Sequence, residues 1–252
     1  MPAASPSKLA ELREQLQRLD GTYARARSVL PFAVSDIDRR LPGGGLALNA
    51  LHEVAGGADG AVHGAAAALF CAGIAARTRG KILWCLARTD LFAPAVEQAG
   101  LAPDRVIYVE AGDDLSLLSY FEEGLSHGGL GAVVGEVAKL SMVASRRLQH
   151  AAEKTGTLGL AIRRWRRASD AADFGQPTAA VSRWRVTALP SEQLTEPGLG
   201  RARWLLELIR MRSGESADFI VEACDAAGRL ALPSDLADGQ DFEGLGRWRS
   251  VS

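Results

Sequence analysis

Cysteine is scarce in this chain of 252 residues, which has three cysteines and four histidines. Cys71, Cys85 and Cys224 are odd in number and far apart, and each lies among apolar neighbours. They indicate buried reduced thiols of a cytoplasmic protein rather than a disulfide framework. No Cys-x-x-Cys or His-Glu-x-x-His spacing is present to hold a metal. We therefore expect no metal site and no cofactor.

Long apolar runs are also missing. The longest, residues 65–76, is mostly alanine and is too short to span a bilayer. The N-terminal residues Met-Pro-Ala-Ala-Ser-Pro-Ser-Lys lack the apolar centre of a signal peptide. A composition with 47% hydrophobic and 23% charged residues is typical of a globular protein. We expect a cytoplasmic location and no membrane partner.

Lysine is rare, because arginine supplies 25 of the 29 basic residues. The net charge of −1 hides a segregation of charge along the chain. Residues 146–212 carry 13 basic and 6 acidic side chains, whereas residues 1–145 carry 13 and 16, and residues 213–252 carry 3 and 8. Because guanidinium groups suit phosphates and stack on bases, the basic middle indicates a surface for nucleic acid or for an acidic partner.

Strand-like and helix-like segments alternate through the first two thirds of the chain. Strands are predicted at residues 51–54, 81–87, 105–109, 131–136 and 157–162, and the clearest helices at residues 113–126 and 141–154. This alternation is typical of βαβ units around a parallel sheet. Later strands, at residues 179–188, 203–212 and 217–223, are joined by turns. We expect an α/β fold with a mostly parallel sheet flanked by helices and an antiparallel C-terminal β extension.

The N-terminus shows a leucine stripe, with Leu9, Leu12, Leu16 and Leu19 at helical spacing. It predicts a short amphipathic helix that packs on its own domain or on another subunit. The expected organisation has four parts: an N-terminal helix and linker at 1–27, an α/β core at 28–165, a basic loop and β extension packed on the core at 166–232, and an acidic tail at 233–252.

A glycine-rich loop joins the first core strand to a long helix, which is the position of a phosphate-binding loop. Such a loop has the pattern Gly-x-x-x-x-Gly-Lys-Ser/Thr, in which lysine reaches the phosphates and the hydroxyl holds magnesium. When Gly60 is aligned with the second glycine, Ala61 replaces the lysine and Val62 replaces the hydroxyl. The residues of this degenerate loop are Ala55, Gly56, Gly57, Gly60, Ala61 and Val62.

A second catalytic position is altered too. The strand 132–136 ends at Glu136, where a magnesium-associated aspartate would stand. Without the lysine and the magnesium ligand, little offsets the triphosphate charge in the transition state, so we predict no ATP hydrolysis. Two interpretations of the loop remain: a tight turn that binds nothing, or weak binding of a nucleotide or anion at the helix N-terminus.

Leu41-Pro-Gly-Gly-Gly-Leu46, followed by the strand with Glu53 and the glycine loop, resembles the start of a RecA-type recombinase core. The chain as a whole resembles the ImuA family, RecA-like proteins of bacterial damage-induced mutagenesis cassettes. The best-matching stretches are residues 41–55, 182–186, 201–212 and 221–232, and the resemblance extends over about residues 5–232. Their order and spacing carry it.

The resemblance implies a RecA-like core and a non-catalytic accessory role in error-prone translesion DNA synthesis during the SOS response to DNA damage. It implies three partners: an ImuB-like polymerase-family protein, an error-prone replicative-type polymerase, and RecA. Single-stranded DNA is a further candidate partner. Two alternatives stay open. One is a SulA-like cell-division inhibitor, since such inhibitors share a reduced RecA-like fold, and the other is a DNA-dependent ATPase of the RecA class.

A basic run follows the last core strand and comprises Arg163, Arg164, Trp165, Arg166 and Arg167. In RecA-like folds, loops that leave this part of the sheet face single-stranded DNA. Guanidinium groups around a tryptophan suit phosphates and a stacked base, so the run is a candidate site for DNA. Contact with an acidic partner protein and simple solubility are the alternatives.

Overall fold

The computed structural model describes residues 28–57, 61–164, 173–191 and 200–233. The predicted N-terminal amphipathic helix and nearly all of the predicted acidic tail lie outside these residues. So do the middle of the glycine loop and the part of the basic run that follows Arg164.

Five α-helices and ten strands make up the described part of the chain. The helices are α1 (Ser35–Asp38), α2 (Ala61–Ala76), α3 (Ala93–Gln98), α4 (Asp114–His127) and α5 (Met142–Thr155). The strands are β1 (Val29–Leu30), β2 (Leu46–Ala47), β3 (Leu51–Gly56), β4 (Ile82–Leu86), β5 (Val106–Glu110), β6 (Ala132–Val137), β7 (Leu158–Arg163), β8 (Ser182–Leu189), β9 (Arg203–Met211) and β10 (Ala217–Glu222).

Eight of these strands form one sheet in the order β10-β9-β8-β3-β7-β6-β4-β5. All neighbours from β8 to β5 are parallel, while β9 pairs antiparallel with both β8 and β10. The strands β1 and β2 form a small separate antiparallel pair. The predicted α/β fold, with a mostly parallel sheet and an antiparallel C-terminal extension, is confirmed.

Helices cover both faces of the parallel part of the sheet. On one face α2 and α3 enclose an aromatic cluster in which Phe70 lies 5.9 Å from Trp184, between ring centroids. On the other face α4 and α5 pack over the sheet through residues such as Phe121 and Leu148. Every residue of β3, β6 and β7 is buried, as expected for parallel strands that are covered on both sides.

The two helices on the second face are defined by local capping. Asp113 accepts hydrogen bonds from the backbone N–H groups of Leu115 and Ser116, both at 2.9 Å, and so starts α4. Gly128 ends it with φ 74°, and Gly156 ends α5 with φ 77°, in the left-handed region where glycine has no steric cost. Both helices begin a few residues after the carboxyl end of the strand that precedes them, which is β5 for α4 and β6 for α5.

All three cysteines lie in described segments and are free. Cys71 and Cys85 are buried as expected, and burial raises the pKa of Cys85 to about 12. Cys224 is half-buried, and its pKa is also raised to about 12, mainly by burial. Across the described segments, we find no helix with the length and apolar character needed to cross a membrane.

Candidate functional site at the carboxyl edge of the sheet

The carboxyl ends of β3, β7 and β6 lie side by side, because the three strands are parallel neighbours. We call this border of the sheet the carboxyl edge. Open α/β sheets bind their ligands beyond this edge. The predicted site residues meet here: the glycine loop follows β3, Glu136 lies in β6, and Arg163 and Arg164 lie at the end of β7.

The glycine loop packs against β8. Ala55 is buried in β3, and Gly57 donates its backbone N–H to the carbonyl of Val186 at 2.9 Å. That N–H group extends the pairing of the strands instead of facing a phosphate. A Cβ atom on Gly57 would lie 1.7 Å from Oγ1 of Thr187, so only glycine fits. Gly60 lies outside the described residues.

The start of α2 closes the same loop from the other side. A Cβ atom on Gly56 would lie 2.8 Å from the backbone carbon of His63, whose Nδ1 accepts a hydrogen bond from the N–H of Ala188 at 3.2 Å. Ala61 and Val62 are the first residues of α2, and Val62 is 66% exposed without any polar group. These contacts favour the interpretation of the loop as a tight turn.

A buried ion network is centred on Glu53 in β3. Its Oε1 accepts a hydrogen bond from Nη1 of Arg163 at 2.7 Å. Its Oε2 accepts one from Nε of Arg183 at 3.0 Å and one from Oγ1 of Thr178 at 2.8 Å. Both carboxylate oxygens are therefore occupied by partners within the protein, and the two guanidinium groups offset the cost of burying the charge.

The structure corrects the prediction for Arg163. Its side chain is 0% exposed, it pairs with both Glu53 and Asp173, and its Nη2 also donates to the carbonyl of Ala138 at 2.9 Å. As the last residue of a buried strand, Arg163 points into the interior, where a charge has to be matched by carboxylates. It therefore takes no part in a surface for DNA or for a partner protein.

Glu136 is buried in β6 and also paired. It accepts hydrogen bonds from Nε1 of Trp84 and from the N–H of Ala87, both at 3.3 Å, and from Nη1 of Arg164 at 3.1 Å. Burial raises the pKa of Glu136, and the charge of Arg164 partly opposes this. No group of three or more His, Cys, Asp or Glu side chains in the described part of the chain could hold a metal ion.

Arg164 joins Glu136 to the loop after β4. Its two terminal nitrogens donate to the carboxylate of Asp90 at 2.8 and 2.7 Å, and this hydrogen bonding lowers the pKa of Asp90. Burial lowers the pKa of Arg164, but its bonds to Asp90 and Glu136 raise the pKa overall. Arg164 is thus partly exposed yet paired, while Trp165, Arg166 and Arg167 lie outside the described residues.

The carboxyl edge is therefore filled by the protein's own charges. Each described carboxylate that could hold a cation, Glu53, Glu136 or Asp90, is bonded to an arginine. The arginines that could hold a phosphate, Arg163 and Arg164, are bonded to those carboxylates. Chemically, this arrangement stabilises the edge and leaves little charge for a nucleotide.

The sequence singles out Arg163, Arg164 and Glu136 as site residues. It assigns no site role to the residues that pair with them or complete the network, which are Glu53, Asp90, Asp173 and Arg183. A detectable signal existed, because Glu53 and Arg183 are charged residues inside strands that are otherwise suited to burial. Such a charge must be paired. Asp90 and Asp173 stand in loops and carried no comparable signal.

Exposed apolar side chains surround the same edge. Four of them stand at the starts of the helices that follow β3, β4, β5 and β6, and we call this set the apolar rim. Its members and their exposed fractions are Val62 66%, Phe92 67%, Leu115 79% and Val143 70%. The rim therefore places apolar surface at the edge where open α/β sheets bind their ligands.

Comparisons with known proteins give one clear relationship. No protein-family model matches the chain. Protein ImuA from Caulobacter vibrioides is 38% identical over 223 residues, which cover 83% of this chain and 91% of the relative, and the values are the same in two strains. The crystal structure of SulA from Pseudomonas aeruginosa shares 22% identity at a TM-score of 0.38, covering 44% of this chain and 94% of SulA, which is too low to support an inference.

Proposed function

Since the chain belongs to the ImuA family, which serves the damage-inducible mutagenesis cassette of bacteria, we propose that it is a non-catalytic accessory protein of error-prone translesion DNA synthesis. In this proposal it acts in the cytoplasm by binding and hydrolyses no ATP. Its partners are an ImuB-like polymerase-family protein, the error-prone replicative-type polymerase, and RecA or single-stranded DNA.

The filled carboxyl edge is the observation that carries this proposal. A nucleotide phosphate that used Arg163 would have to separate it from Glu53, with which it forms a fully buried pair. Breaking such a pair costs about 3–5 kcal/mol. The described loop offers no lysine in return, and the N–H of Gly57 is already bonded to Val186. Binding without turnover is the function that fits this chemistry.

The apolar rim supports protein binding at the same edge. Phe92 and Leu115 expose about two thirds or more of their surface to water, which is unfavourable unless a partner covers them. The edge at which related architectures hold a small ligand would then hold the polymerase-like partner.

The proposal is tested by affinity purification of the tagged full chain from DNA-damaged cells of the source organism, with mass identification of the proteins recovered. We expect an ImuB-like polymerase-family protein. Recovery of the tubulin-like division protein without any polymerase would contradict the proposal and favour a SulA-like inhibitor.

A matched pair of variants locates the contact. The rim variant Phe92→Asp with Leu115→Asp is expected to lose the polymerase-like protein, because charge in a buried apolar contact is costly. The control Leu232→Asp changes an exposed apolar residue, 43% accessible, on the segment after β10 and should recover it normally. Equal recovery by both variants would remove the rim from the proposal and leave the partner in place.

A further inference from the structure

The outer face of α5 carries a row of basic side chains. Arg146, His150 and Lys154 follow one another at a spacing of four residues, so they lie on one face of the helix, and all three are exposed. Leu148 and Ala152 of the same helix are buried against the sheet. Within the described residues, no hydrogen bond or ion pair involves any of the three basic side chains.

The end of β9 continues this row beside the helix. Arg210 donates from Nη1 to the carbonyl of Thr178 at 2.9 Å. The backbone N–H of Ala179, the residue after Thr178, donates to Oγ of Ser145 in α5. Arg212 lies 4.0 Å from Glu153, also in α5, with its side chain 47% exposed. We call the combined surface the basic strip, and it comprises Arg146, His150, Lys154, Arg210 and Arg212.

The strip has an excess of positive charge. Among the described residues, Glu153 of α5 is an acidic neighbour of the strip; it lies 4.0 Å from Arg212 and accepts a hydrogen bond from Gln149. Arg147, one residue along the helix, differs, because its Nε donates to Glu122 of α4 at 3.1 Å and a second nitrogen bonds the same carboxylate. Arg210 and Arg212 are both exposed, and each guanidinium group has more N–H donors than its bond to a backbone carbonyl uses.

We propose that the basic strip binds the phosphate backbone of single-stranded DNA. Cations four residues apart on a helix are separated by about 6 Å along its axis, so they form a line suited to an extended polyanion rather than a compact patch suited to an acidic protein. The inference rests on the proposed function, which gives this protein a place at a single-stranded template, and it replaces the buried Arg163 as the contact point.

The test is fluorescence anisotropy of a labelled oligothymidylate titrated with the full chain at several salt concentrations. In the strip variant, Arg146, Lys154 and Arg212 are changed together to alanine. Each lost phosphate contact lowers the slope of log affinity against log salt by about 0.7, so the slope should fall by about 2. Affinity at the lowest salt should fall at least about tenfold.

The control variant removes the same charge elsewhere. Arg79, Lys81 and Arg229 are exposed cations on the α2–β4 connection and on the segment after β10, and they are changed together to alanine. Its slope should equal that of the parent chain. Thermal unfolding of all three proteins checks that each is folded.

Several outcomes would overturn the proposal. One is parent-like DNA binding by the strip variant, and another is an equal loss in the control, which would show that only total charge matters. A parent chain that fails to bind the oligonucleotide at low salt, or that binds poly-glutamate more tightly, would do the same. Since recovery of the polymerase-like partner is a separate measurement, none of these outcomes decides the proposed function.

Discussion

The arginines of the buried ion network around Glu53 and those of the basic strip share one chemistry in opposite surroundings. Arg163 and Arg183 are buried and share the carboxylate of Glu53. Arg146 and Arg212 are exposed, the first without a described partner and the second 4.0 Å from its nearest carboxylate. A buried guanidinium needs a matched acid because desolvation of a lone charge costs several kcal/mol. An exposed one is solvated and remains available.

The difference shows that a run of basic residues in a sequence does not identify a binding surface. The run that begins at Arg163 starts inside the protein, where Arg163 forms ion pairs with Glu53 and Asp173. The strip is dispersed over α5 and β9 and is assembled only by folding. The first of three predictions separates the structural group from the available group, and the other two test the carboxyl edge; they begin with the largest effect.

Replacement of Glu53 by alanine should destabilise the protein most. The change leaves Arg163 and Arg183 buried without the carboxylate they share, so the free energy of unfolding should fall by about 3–5 kcal/mol. Urea unfolding followed by circular dichroism measures it. Arg146→Ala is the matched control from the strip and should change stability by less than about 0.5 kcal/mol. Similar losses in both variants would contradict the division into two groups.

A methyl group at Gly57 should have an intermediate effect. Its Cβ would overlap Thr187, and the resulting shift of β8 against the loop should cost about 1–3 kcal/mol. Gly64→Ala, in α2, is the control, because no atom lies within 4 Å of the added Cβ. There we expect a gain of up to about 1 kcal/mol from helix propensity. An unfolding midpoint for Gly57→Ala equal to that of the parent would mean that the loop is open.

Removal of the charge at Glu136 should give the smallest effect, visible as a change in pH dependence. Since burial raises the folded-state pKa of Glu136 above 4.5, its contribution to stability is complete below that value and is lost as pH rises through the folded pKa. Glu136→Gln lacks this loss, so its stability relative to the parent should increase with pH above 4.5.

Denaturant unfolding of parent and Glu136→Gln at several pH values measures this difference. Asp90 is present in both proteins and has the opposite pH dependence. The hydrogen bond from Arg164 lowers the pKa of Asp90, so the contribution of Asp90 to stability is lost as pH falls through its folded pKa. A difference between the two proteins that stays constant with pH would mean that Glu136 is not desolvated in the way described.

The sheet could be predicted from the sequence because its signals are local. The predicted strand 131–136 and helix 141–154 lie within one residue of β6 (Ala132–Val137) and α5 (Met142–Thr155). Apolar strands, capping residues and terminal glycines each act within a few positions of the chain, so they can be identified without knowledge of the tertiary fold.

The ion network could not be predicted in the same way. Glu53 and Arg163 are 110 positions apart, and they meet because β3 and β7 are neighbours in the sheet. Without the strand order, Arg163 was indistinguishable from Arg164, which is partly exposed. The missing knowledge was the direction in which each side chain of β7 points and what faces it.

We propose that the carboxyl edge, filled by its own ion pairs, does not process a nucleotide. The most direct test of this proposal is ATP turnover by the purified full chain with magnesium, measured with and without single-stranded DNA, alongside Glu136→Gln. We predict no turnover above the buffer background in any of these mixtures. Turnover that single-stranded DNA stimulates and Glu136→Gln abolishes would contradict the account.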